Sequence, residues 1–149
     1  MKKLVIGLVS LFSVMSIRAN DNDPISWKVL HSFQKEFVNA SDVNWKSLDD
    51  DNFFQASFKF HGEQILAIFN SDGDLVGTAR IISEEHLPIM VMKALASNYE
   101  GYTVKQTEEY TVNGEAYYEV TMMNPKEMIV VKFFADGSID RVKKIKNKK

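Results

Sequence analysis

The sequence predicts an α+β fold, built as a tandem repeat of one helix followed by a four-stranded antiparallel meander, with the helices covering one face of the sheet. Two stretches of the 149-residue chain, 55–73 and 119–137, carry this prediction. When the first is laid on the second without a gap, most apolar positions coincide, and each stretch ends in an Asp-Gly turn signal. The aligned pairs include Phe58 with Met122, Ile65 with Ile129, and Phe69 with Phe133.

The first repeat is expected at about 24–82. Asp23 and Pro24 suit the N-cap and the first position of a helix. Apolar residues then follow at helical spacing, which predicts a helix from about Pro24 to Val38 with a buried stripe of Val29, Leu30, Phe33 and Phe37.

Four strands should complete this repeat. The first begins at Val43 and ends at an acidic turn, 49–52. In the second, every other residue is apolar, the period of a strand with one buried face: Phe54, Ala56, Phe58 and Phe60. His61 and Gly62 predict a two-residue hairpin turn into the third strand. The fourth runs over 75–82, where Gly77 indicates a bulge or close packing.

The second repeat is expected at about 83–146. Pro88 suits a first helical turn, and Gly101 suits the end of that helix. Asn113-Gly114 is the strongest short hairpin signal in the chain. It separates the predicted strand 102–112 from the last three predicted strands, 115–123, 128–134 and 139–145.

Residues 1–19 are expected to be a signal peptide, which leaves residues 20–149 as a single domain. Lys2 and Lys3 precede an apolar run, Leu4–Ile17, and Ala19 supplies a small residue for cleavage. A membrane anchor is the alternative, but a spanning helix needs about 20 apolar residues and this run is shorter. We therefore expect a periplasmic or secreted protein.

Charge and cysteine content restrict the function. The chain has no cysteine, which excludes a thiol nucleophile and thiolate metal ligands. The basic residues among the first 19 are Lys2, Lys3 and Arg18, and this segment has no acid, so the remainder holds 15 basic and 20 acidic residues. A net charge of −5 argues against nucleic-acid binding. Basic residues do cluster after Ile139. They form either a solvated tail or a segment that is attracted to an acidic surface.

Motifs spread over nearly all of the expected domain resemble those of the PepSY-like, β-lactamase-inhibitor-like periplasmic protein family. The matching residues are Phe37, Ala40, Val43, Trp45, Ala56, Phe58, Asp72, Gly73, Leu87, Pro88, Tyr99, Gly101, Tyr102 and Val104. The resemblance implies an exported α+β domain without enzymatic activity. It transfers no functional residue, because these motifs are structural.

No catalytic, metal or cofactor site is predicted. His31, His61 and His86 are too far apart in sequence to form a short-spaced metal pair. The acidic turns at 49–51 and 72–74 lack the ligand pattern of a calcium loop. We expect no enzyme and no cofactor.

The sheet face away from the helices is the candidate partner surface. Strand alternation places seven apolar residues on it: Phe53, Leu66, Ile68, Tyr117, Met123, Met128 and Val130. Contiguous apolar patches of this kind mark binding surfaces. Twist, neighbouring loops or a one-residue error in register would instead bury these side chains.

Two functional hypotheses follow. The first is an exported, non-enzymatic module that binds a protein or peptide on the open sheet face, as an inhibitor or as a propeptide-like chaperone does. The second is a homodimeric structural protein joined through the same face, without a separate ligand. Neither involves nucleic acid or a membrane span after signal removal.

Overall fold

The computed structural model describes residues 25–48 and 52–145. The predicted signal peptide, the Asp23-Pro24 helix start and the acidic residues 49–51 lie outside these ranges. The described chain contains two α-helices, α1 (Trp27–Glu36) and α2 (Ile89–Asn98), and a short 3-10 turn (Glu84–His86) before α2. The eight strands are β1 (Ser41–Leu48), β2 (Phe53–Phe60), β3 (Glu63–Asn70), β4 (Leu75–Ile82), β5 (Thr103–Val112), β6 (Glu115–Met123), β7 (Met128–Phe134) and β8 (Ile139–Ile145).

One continuous antiparallel sheet holds all eight strands in sequence order. The predicted tandem repeat of a helix plus a four-stranded meander is therefore wrong as the architecture. β4 and β5 pair from Gly77 opposite Val112 to Ile82 opposite Thr107, so the sheet passes without a break through the point where a second unit was expected to begin. The Thr107 hydroxyl also donates a hydrogen bond to the carbonyl of Ile82. Strands dominate the described residues, and the helices are only ten residues each.

α1 packs its apolar stripe on the first three strands. Val29 and Phe33 are buried against side chains of β2 and β3, with Phe33 meeting Phe58 edge to face at 4.9 Å between ring centroids. The helix is shorter than predicted and begins one turn later, because the Ser26 hydroxyl caps it by accepting from the backbone N–H of Lys28. The other buried members of this cluster are Phe54, Ala56, Ile65, Ala67 and Phe69.

α2 packs on the same face of the sheet, over β6 and β7. Val91 and Leu95 are buried there together with Val120, Val131 and Phe133. Pro88 precedes α2 as its N-cap and does not occupy its first turn, since the 3-10 turn before it carries the chain onto the sheet. Tyr99 ends the helix, and Gly101 follows with a φ of +84°.

The two Asp-Gly turns hold the helices in place. A Cβ added to Gly73 would come within 2.9 Å of the Lys28 carbonyl oxygen in α1. A Cβ added to Gly137 would come within 2.5 Å of the Met90 carbonyl oxygen in α2. Because both glycines also have φ near +90°, only glycine allows these turns to reach the helix backbone.

Candidate interaction surface

The strand register places all seven predicted partner residues on the sheet face opposite the helices, called here the open face. Directly paired residues in an antiparallel sheet project to the same side. Leu66 pairs with Ala79, which pairs with Tyr110, which in turn pairs with Tyr117. Ile68 pairs with Gly77 in β4. The further pairs Phe53–Asn70, Thr121–Val130 and Met123–Met128 belong to the same side.

These seven residues divide into two groups. Leu66, Ile68 and Tyr117 join one apolar cluster, with Phe53 packed at its edge. Val130 is also buried, but it lies farther along β7, towards the partly buried pair Met123 and Met128. The structure therefore brings four of the predicted residues together and leaves three at the other end of β6 and β7.

Two residues that strand alternation did not identify complete the cluster. Ala79 and Tyr110 are both buried, and the Tyr110 ring stacks on Tyr117 with a centroid distance of 4.9 Å and an interplanar angle of 2°. A register shift between Val104 and Gln106 interrupts β5. A bulge shifts the alternation that follows it, so the sequence pattern of β5 was hard to assign to a face.

The side chains at the centre of the open face are buried. Tyr110 has no exposed surface, and Leu66 and Ile68 are each 5% exposed, although both helices lie on the other face. Phe53, Val76 and Val112 pack against this cluster and are themselves partly buried. The buried cluster is called here the floor of the open face.

A buried carboxyl group borders this floor. Glu108 is 2% exposed, and it accepts hydrogen bonds from the Tyr110 hydroxyl at 2.7 Å and from the Gln106 side-chain amide. Burial raises the pKa of Glu108, and the two hydrogen bonds oppose that rise in part. Glu119 is its cross-strand partner on β6, so both acidic residues belong to the open face.

Lys132 supplies positive charge next to this acidic pair. Its ammonium nitrogen lies 4.1 Å from the centroid of the Tyr117 ring, within cation–π range, and 3.3 Å from an Asp140 carboxylate oxygen. Burial, and after it the neighbouring Glu119, raise the pKa of the Tyr117 hydroxyl above its ordinary value. Lys132 pairs in register with Glu119 on one side and with Arg141 on the other.

On the helical face of the sheet, between α1 and α2, Arg80 links neighbouring strands. Its guanidinium contacts Glu109 at 2.6 Å and Glu63 at 3.0 Å, and the Tyr118 hydroxyl donates to Glu109 at 3.3 Å. The small cleft beside Arg80 has a volume of about 140 Å³. This network ties β3, β4, β5 and β6 together on the helical side, where it is better suited to holding the sheet than to binding a ligand.

The three histidines lie on separate elements: His31 in α1, His61 in the β2–β3 turn and His86 in the 3-10 turn. His86 Nδ1 lies 2.8 Å from the Ser83 hydroxyl, and this exposed pair is local to one turn. In the described ranges, no group of three or more His, Cys, Asp or Glu residues is arranged to hold a metal ion. Asp72 and Asp74 organise their own turn through Asn70.

Solved structures of similar fold come from Bacteroides species. A candidate periplasmic protein of Bacteroides eggerthii matches with a TM-score of 0.74 at 18% identity, covering 84% of this chain and 92% of its own. A BLIP-like protein of Bacteroides fragilis matches with a TM-score of 0.72 at 18% identity, covering 85% and 91%. A DUF2874 family protein of Bacteroides uniformis matches with a TM-score of 0.72 at 20% identity, covering 82% and 89%.

These similarities establish a BLIP-like fold over most of the chain. At the level of fold, they support the resemblance to β-lactamase-inhibitor-like proteins that the sequence indicated. They do not support the resemblance to PepSY-like proteins. No family model matches the sequence. No curated protein matches it either. Neither helix of the described chain has the length and apolar character needed to cross a membrane.

Proposed function

We propose that this chain is an exported, non-enzymatic protein that binds a protein or peptide partner on its open face. The observation that carries the proposal is a set of large apolar side chains that stay exposed on this face around the buried cluster, Ile81, Phe134 and Ile145. Large side chains that are already fixed lose little conformational entropy on binding, which favours association.

The surroundings of this cluster suit a protein interface. Protein interfaces combine an apolar, aromatic centre with a polar rim. Here the centre is flanked by partly exposed apolar side chains, including Phe134 and Met128, and then by charged groups, including Glu119 and Lys132. Tyrosine and methionine are both common at such surfaces because they adapt to a partner's shape.

Export is the second part of the proposal. The Lys-rich, apolar N-terminal segment indicates a secretory signal. A structural neighbour described as a candidate periplasmic protein is consistent with a periplasmic location. A protein of BLIP-like fold in that compartment suits the role of an inhibitor or a propeptide-like chaperone of an exported enzyme, and we propose these as the two concrete forms of the function.

A cross-linked pull-down from the native periplasm tests this function. The bait is residues 20–149, compared with the open-face variant Met128→Asp/Phe134→Asp and a matched helix-side variant, Ile89→Asp/Met90→Asp. All four side chains are wholly or partly exposed, so both variants are expected to fold. Each captured protein is then purified and its Kd measured for the three baits.

We expect the wild type and the helix-side variant to bind the same partner with similar Kd. The open-face variant should bind it at least about tenfold more weakly, because two carboxylates would be desolvated beside the centre of the interface. Equal Kd for all three baits would rule out the open face as the binding site. Recovery of the bait alone, with dimers seen in sedimentation, would favour the homodimer hypothesis.

A further inference from the structure

The strand β8 forms one edge of the sheet and differs from the edge at β1. Among the described strands, β8 pairs only with β7, and every residue from Ile139 to Ile145 is exposed. From Arg141 to Ile145 its pairing with β7 is regular, and the one register shift falls before Arg141. The outer backbone groups of this five-residue stretch therefore form an uninterrupted row, the feature to which another strand can hydrogen-bond.

The opposite edge, β1, is interrupted near its start. The register shifts between Ser41 and Asn44, and Asp42 has a φ of 54°. Bulges of this kind turn an edge away from further pairing. The Asp42 carboxylate is also held by Lys59 at 2.8 Å. Both edges keep five residues of regular pairing, 44–48 in β1 and 141–145 in β8. Several residues of β1 are partly buried over that stretch, whereas every residue of β8 is exposed, so β8 is the more accessible edge.

The side chains of β8 restrict what could pair with it. Arg141 and Lys143 point to the open face, as their register partners Lys132 and Val130 do. Val142, between them, points to the helical side and is 49% exposed. A strand laid against this edge would place alternate residues beside two cations on one face and beside an apolar side chain on the other.

A second copy of β8 does not fit this edge. Antiparallel pairing of two β8 strands centred on Val142 would place Arg141 of each copy opposite Lys143 of the other. Like charges placed opposite each other in a sheet are destabilising. The edge therefore favours a partner of the opposite charge.

We propose that β8 binds an extended segment of a partner protein by strand addition, and that this segment alternates acidic and apolar residues. The acidic residues would lie beside Arg141 and Lys143, and the apolar residue between them would lie beside Val142. Backbone hydrogen bonds would supply the affinity and the alternation would supply the specificity, as in other cases of strand addition. This surface adds to the open face and does not depend on it.

Fluorescence anisotropy with short labelled peptides tests the proposal. The acidic probe is acetyl-Thr-Glu-Val-Glu-Val-Thr-amide, and the basic control replaces both Glu residues with Lys. Two further acidic probes carry N-methyl groups, either on the Glu residues or on the Val residues. The protein is residues 20–149, compared with Arg141→Glu/Lys143→Glu, and circular dichroism verifies that the variant is folded.

We expect the wild type to bind the acidic probe and the charge-reversed variant to prefer the basic one, with Kd changes of at least about tenfold in each direction. One methylated probe should lose binding by a similar factor and the other should keep it, because successive N–H groups of a strand point to opposite sides. Equal binding of both methylated probes would show charge attraction without strand addition and would overturn the proposal. Absence of binding to the acidic probe at millimolar concentration would also overturn it, since the lysines would then act only to keep other strands away.

Discussion

At the scale of single residues, Glu108 is the group whose environment departs most from expectation. A carboxyl group is seldom buried unless it is paired or hydrogen-bonded. Glu108 satisfies that condition through Tyr110 and Gln106 while lying opposite Glu119 on β6. Because Glu108 borders the apolar cluster, substituting it tests how this part of the open face is stabilised.

The first prediction concerns the pH dependence of stability. Burial raises the folded-state pKa of Glu108 above its ordinary value, so folding favours the protonated form. This contribution is fully present below the ordinary pKa of Glu and is lost as the pH rises through the folded-state pKa. Glu108→Gln removes the titration, so we expect the variant to gain stability relative to the wild type as the pH is raised from about 4 to 8.

Urea unfolding of both proteins across that pH range measures the effect. Groups whose pKa is lowered, such as Glu127 and Asp136, contribute to both proteins and cancel in the difference. A difference in unfolding free energy that stays constant with pH would contradict the account of Glu108.

At the scale of elements, the Asp-Gly turns connect the meander to the helices. Gly137 combines a φ of +83° with close approach to the backbone of α2, whereas Gly114 has a φ of +81° and nothing within 4 Å of an added Cβ. The two positions thus share one backbone conformation and differ in the space around it. Alanine substitutions at the two positions therefore separate the cost of backbone strain from the cost of steric overlap with α2.

The second prediction uses that pair. Gly114→Ala should cost about 1 kcal/mol, the cost of a left-handed conformation for alanine. Gly137→Ala should cost about 2–4 kcal/mol, because the added methyl group also meets the Met90 carbonyl oxygen and forces α2 to move. Denaturant unfolding of the two variants gives both values. Equal losses would mean that the turn does not hold α2 against the sheet.

At the scale of the whole molecule, local patterns predicted elements better than they predicted architecture. The bounds of β4, β6, β7 and β8 agree with the predicted strands because alternation and the Asn-Gly turn act over a few residues. The continuity of the sheet could not be predicted in the same way. This continuity depends on pairing between 77–82 and 107–112, which are distant in sequence. The sequence resemblance between the two halves of the chain predicted a boundary between two repeats at this place instead.

The candidate surface shows the same limit. Alternation placed Leu66 and Ile68 on the open face, but it could not show that they are buried there, because their burial depends on contacts with side chains of β4, β5 and β6. Tyr110 and the buried Glu108 escaped prediction for a related reason, since the bulge in β5 obscures which face its residues occupy. Contacts across several strands therefore decide the shape of this surface.

Site-specific photo-cross-linking in the native compartment shows whether another protein contacts the open face. A benzophenone amino acid replaces either Phe134, which is 38% exposed on the open face, or Ile89, which is 65% exposed on α2. Our account predicts a discrete adduct with one other protein from position 134 and none from position 89. The same adduct from both positions, no adduct from position 134, or an adduct with a second copy of this chain would contradict it.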